Sequence, residues 1–187
     1  MRAILAISLA GALLSGAGFA ASPAPPKPAE VLNTYGELAH AMYEDSLITA
    51  KALQGAVNAF LSDPTPAKLG AARAAWKAAR IPYLQTEAFR FGNAIVDEWE
   101  GEVNTWPLDE GLIDYVAASY GKTSDENPLY TLNVIANKQL RIGAKQVNAS
   151  VIDRNLLRQL QQAQGVEANV ATGYHAIEFL LWGQDLH

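Results

Sequence analysis

One long helical pattern limits the folds open to this chain more than any other feature. From Ala29 to about Leu61, Val31, Tyr35, Leu38, Met42, Leu53, Val57 and Phe60 recur at steps of three and four. At 1.5 Å per residue such a helix is about 50 Å long, the length of a bundle strut. Asp63-Pro64-Thr65-Pro66 stops it. A second helix is expected from Ala67 to about Phe91, with Leu69, Ala72, Trp76, Ala79 and Tyr83 on one stripe. Pro82 predicts a kink or break near Arg80-Ile81.

The remainder carries weaker signals. Residues 91–106 mix Gly, Asn and acidic residues and read as loop with short turns. Pro107 to Ala118 reads as a short helix with proline in its first turn. Residues 121–128 form a turn-rich excursion, and Leu129 to Asn137 is assigned a short helix on context. Asp153 to Gln164 reads as a helix ended by Gly165, and Ala168 to about Trp182 as the last helix. No run alternates convincingly as a strand, and no short-period repeat occurs. The expected fold class is all-α, a helical bundle.

The N-terminus is set apart. Met1-Arg2, the apolar run Ala3 to Phe19 and the small residues at Gly18-Phe19-Ala20 follow the order of a secretory signal peptide, cleaved after Ala20. The rival assignment, a membrane anchor, requires about 20 strongly apolar residues. This run is diluted by Gly, Ala and Ser and has no basic stop-transfer cluster behind it. Residues 21–28 are a Pro-rich linker and 29–187 the folded domain. An exported, periplasmic or outer-membrane-associated protein is expected.

The chain has no cysteine. That excludes a disulfide scaffold, thiolate metal sites and a Cys nucleophile, and leaves His, Asp and Glu as protein ligands for any metal. With 14 Lys and Arg against 19 Asp and Glu the net charge is −5, one unit more negative once Arg2 leaves with the signal peptide. No basic cluster exists, so nucleic acid is not an expected partner. There is no H-E-x-x-H, no G-x-S-x-G and no nucleotide glycine loop.

Polar residues interrupt three apolar stripes. In the first helix Asp45 and Thr49 follow Met42; in the second Thr86, Glu87 and Arg90 follow Tyr83. The last helix, Gly173 to Trp182, is apolar on nearly every face and holds only two ionisable residues, His175 and Glu178. These lie about 60° apart on one face, with Trp182 between them in angle and one turn on. An i, i+3 imidazole and carboxylate project to one point, as in di-metal helix bundles. The same pair also serves as a hydrogen-bonded couple that satisfies two core groups, so both functions stay open on the motif alone. Glu87 with Arg90 reads first as a solvated ion pair, and Asp45 as a loop-facing residue.

The stretch Gly173-Tyr174-His175-Ala176-Ile177-Glu178-Phe179-Leu180-Leu181-Trp182-Gly183-Gln184-Asp185-Leu186 resembles the G-x-H-x-x-E signature of the imelysin family. Trp76 to Arg80, Pro82-Tyr83 and Glu87-Ala88-Phe89-Arg90-Phe91-Gly92 resemble its second-helix segment. Val103-Asn104-Thr105-Trp106-Pro107-Leu108-Asp109-Glu110 resembles its Trp-Pro loop. The resemblance implies exported bacterial proteins, often iron-regulated, with relatives in iron-uptake systems, and a family named for an insulin-cleaving metallopeptidase. It implies a fold of two helical bundles related by duplication, of which this chain matches the N-terminal half. The C-terminal bundle is then the missing partner, beside envelope iron-uptake components. His175 and Glu178 carry over from the signature, with Glu87, Arg90 and Asp109 as neighbours.

Three functions follow. The first is metal binding in the envelope, with His175 and Glu178 as ligands and Glu87, Asp109 or Asp45 as further oxygens. A mixed N/O set suits Fe, Mn or Zn; the expected cofactor is a divalent metal, Fe or Zn. The second is a zinc peptidase, which requires three ligands, an open water position and a general base. Only two ligands stand in a recognisable motif. The third is a structural bundle without metal.

Overall fold

The computed structural model describes residues 25–184. The expected signal peptide and the first half of the linker lie outside the described residues. Among the described residues six α-helices and one small hairpin make up the fold, so the helical bundle is the observed class.

Helix α1 spans Pro28–Ser62 and α2 spans Pro66–Gln85. Each opens on a proline, whose fixed φ suits the first turn and whose missing N–H costs nothing there. Pro28 therefore belongs to α1 rather than to the linker. The Lys27 N–H donates to Glu30 Oε2 at 3.0 Å, and the Lys68 N–H donates to Thr65 Oγ1 at 3.3 Å. With only three residues between them the two helices fold back as a hairpin, and Leu53, Ala72, Trp76, Ala79 and Tyr83 form its buried seam. Of the kink or break expected near Arg80-Ile81, the break does not occur: α2 runs on through Pro82. The carbonyl that Pro82 leaves without a donor belongs to Ala78, an exposed residue whose oxygen can turn to water. The α-helix ends at Gln85, and one 3₁₀ turn, Thr86–Phe89, completes the segment.

The stretch expected to be loop contains a ten-residue helix, α3, Ala94–Val103, capped by Asn93 Oδ1 accepting from the Val96 N–H at 3.4 Å. It buries no residue fully, and its apolar positions Val96, Trp99 and Val103 span only two turns among acidic residues, a stripe too short to set it apart from loop. The helix expected over 107–118 shrinks to one turn, α4, Glu110–Ile113. Residues 129–137 are turns rather than helix, with Asn133 at φ +47°. They lead into a hairpin that the sequence did not announce, β1 Gln139–Ile142 and β2 Lys145–Asn148, antiparallel with Ile142 opposite Lys145. Gly143 supplies the positive φ, +59°, that the two-residue turn requires.

Helix α5 covers Arg154–Leu160, with Asp153 Oδ1 accepting from the Leu156 N–H at 2.8 Å. It stops short of Gln164 because Gln162 and Gln164 adopt left-handed φ of 51° and 62°. Leu112, Leu129, Leu140, Leu156 and Leu160 build a second core beneath the hairpin. The last helix, α6, is Gly173–Trp182, shorter than the expected 168–182. Val170 and Ala171 are spent on core packing before the helix begins.

Candidate functional site

The site is built on α6, which is tied down at both ends. At its start Gly173 has φ +86°, and a Cβ there would lie 2.5 Å from the Val103 carbonyl carbon and oxygen. The helix therefore begins in direct backbone contact with the end of α3, an approach that only glycine permits. The Thr172 hydroxyl donates to the Glu102 carbonyl at 2.7 Å. Gln161 braces the same corner. Its Oε1 accepts from the N–H groups of Ala171 at 2.8 Å and Thr172 at 3.0 Å, while Nε2 donates to the Gly101 carbonyl at 2.8 Å.

Helix α2 holds α6 along its length. The Trp76 indole N–H donates to the Tyr174 carbonyl at 2.9 Å, and Arg73 Nε donates to the Leu181 carbonyl at 2.9 Å. The Arg80 guanidinium lies over the rings of Trp76, Tyr83 and Tyr174, at 5.7, 5.4 and 5.1 Å from their centroids. It also hydrogen-bonds the Asn104 side chain at the end of α3. Trp182 packs edge-on against Trp76 and carries Arg73 above its ring at 5.4 Å. Its place is the α2–α6 seam.

On this support His175 Nδ1 lies 3.0 Å from Glu178 Oε2. The imidazole side chain is 14% exposed and the carboxylate side chain 40%. The Trp106 ring leans on the imidazole, with centroids 4.8 Å apart and planes at 52°. One imidazole and one carboxylate thus meet at the edge of a largely apolar helix, a donor set that suits part of a mixed N/O coordination sphere.

The other sequence candidates stand elsewhere. Asp45 is exposed on α1. Glu87 sits in the 3₁₀ turn, 3.9 Å from Arg90. Arg90 in turn reaches Asp97 at 2.7 Å and Glu100 at 3.4 Å, tying the end of α2 to α3. Its guanidinium pKa is raised, first by the hydrogen bond to Asp97. Asp109 is committed to the loop core. Its carboxylate hydrogen-bonds the Asn127 side chain, which bonds Asn169 Oδ1 at 2.8 Å, and the Asp109 N–H donates to the Ala168 carbonyl at 2.8 Å. Among the described residues no group of three or more His, Asp or Glu side chains comes together as a metal site. The pair accordingly fits a part of a coordination sphere and not the whole.

Gln161, Arg80, Asn127 and Asn169 shape this region but escaped the sequence reading. Helical periodicity carries no signal for a polar side chain that bonds loop backbone. For Trp106 only its place in the Trp-Pro segment hinted at a role.

A model of the imelysin family matches residues 39–187. A stretch of 69 residues is 41% identical to the Iron-regulated protein A of Synechococcus elongatus. That stretch is 37% of this chain and 19% of the relative, so the match spans about a fifth of the curated protein's length.

Proposed function

We propose a metal-binding role from one premise: this chain belongs to the imelysin family. The protein handles iron in the bacterial cell envelope, with His175 and Glu178 as the functional pair of its last helix. The observation that carries this is the pair itself, an imidazole and a carboxylate 3.0 Å apart on a helix pinned by Trp76, Arg73 and Gln161. A rigid support of this kind holds a ligating imidazole in place before the ion arrives, and such fixing favours affinity. Further ligands come from outside the described residues. The relative named as iron-regulated favours iron over zinc. Export follows the leader at 1–20, and the mature chain begins at Ala21, which N-terminal sequencing of envelope protein checks.

A second function is kept because imelysin is described among peptidases. Hydrolysis by zinc requires three protein ligands, a bound water and a base, and the described residues bring two groups together.

Elemental analysis of the purified protein, before and after chelation and reloading with Fe²⁺ or Zn²⁺, tests the metal reading. Stoichiometric metal lost together with His175 supports it, and metal-free protein that takes up neither ion rejects it. Cleavage of a peptide, abolished by chelator, would replace binding with proteolysis.

A further inference from the structure

We infer that Glu178 is a positioning residue: it holds His175 as the Nδ1–H tautomer and leaves Nε2 as the nitrogen presented to a divalent cation. The part concerning the cation rests on the metal reading above; the tautomer does not.

An ionised carboxylate only accepts hydrogen bonds. With Glu178 Oε2 at 3.0 Å, His175 Nδ1 must carry the proton, and a neutral imidazole then keeps its lone pair on Nε2 alone. At 3.0 Å the contact has an ordinary N–H···O length. Exposure divides the two roles as well. The imidazole side chain is 14% exposed and pressed by Trp106, which resists a ring flip, while the carboxylate side chain is 40% exposed and keeps water on its free side. Metal-bound histidines commonly donate their other ring N–H to a carboxylate, which fixes the ring and raises its basicity. Helix α6 therefore offers a cation one ligand, Nε2, and spends Glu178 on aiming it.

Two readouts test this. The chain has three histidines, so His40→Gln and His187→Gln leave His175 as the single imidazole for long-range ¹⁵N–¹H spectroscopy, with the pH raised until the spectrum stops changing. The expected spectrum shows a protonated Nδ1 and a bare Nε2, unchanged in Glu178→Gln, whose amide oxygen accepts the same bond, and lost in Glu178→Ala. A protonated Nε2 in the unsubstituted pair overturns the inference. In parallel, Zn²⁺ titration separates aiming from ligation. As a positioning residue, Glu178→Gln stays within about threefold of the parent affinity while Glu178→Ala weakens it about 10- to 100-fold. Equal losses in both variants would make Glu178 a ligand and refute the assignment. If the parent protein binds no Zn²⁺ or Fe²⁺, the metal reading fails while the spectrum still decides the tautomer.

Discussion

Gly173 shows how much a single backbone position governs here. Its φ of +86° and the 2.5 Å gap between a would-be Cβ and the Val103 carbonyl leave no room for a side chain. Gly173→Ala combines a left-handed strain with a clash against rigid backbone and should cost about 2–4 kcal/mol; urea unfolding measures it. The pairing of His175 with Glu178 was legible in the sequence because they are the one imidazole and the one carboxylate of an otherwise apolar helix, where buried polar groups are usually paired. Asp109 illustrates the opposite case. Its bonds to Asn127 and to the loop carrying Asn169 depend on long-range folding that no local spacing encodes. Asp45 interrupts an apolar stripe on paper, yet α1 simply turns it to solvent.

At the scale of elements, the helices read correctly are those whose burial follows the helical period: α1, α2, α5 and α6. Helix α3 and the hairpin escaped because their apolar periods are short: Val96, Trp99 and Val103 span two turns, and Leu140 and Ile142 a single alternation. Ten residues are too few to be stable as an isolated helix, and α3 buries none of its side chains fully. Its support is mixed: Trp99 meets Tyr43 and Tyr83 and Val103 packs on the α1–α2 seam, beside Arg90 on Asp97 and Glu100, Asn104 on Arg80, and Gln161 on Gly101. Arg90→Ala is therefore expected to lower global stability by only about 1 kcal/mol or less, since these pairs are partly solvated. It should speed amide exchange in residues 97–103 well beyond that of α2. Equal protection of α3 in both proteins, read by exchange mass spectrometry, would show that the arginine is not its anchor.

For the whole molecule, phenols join a mainly aliphatic interior, with Tyr83 and Tyr174 buried among leucines and alanines. Burial raises the pKa of Tyr43, Tyr83, Tyr120 and Tyr174 above the ordinary value near 10. The native state then keeps protons that the unfolded chain releases, so stability is intact below about pH 10 and falls as pH rises beyond it. Urea midpoints that drop between about pH 9.5 and 11, with phenolate absorbance appearing only on unfolding for these residues, are the expected result. A midpoint that stays flat through that window would contradict it. Helix α1 bears on the molecule differently. It is 35 residues long against 20 in α2, and every residue from 25 to 38 is exposed. Its opening turns thus behave as a cantilever: backbone order there draws on helix propensity alone, with little tertiary support beyond Tyr35 against Phe89. Proteases should nick this arm first, leaving a trimmed product that still unfolds cooperatively, and mass spectrometry of a brief digest would locate the cut.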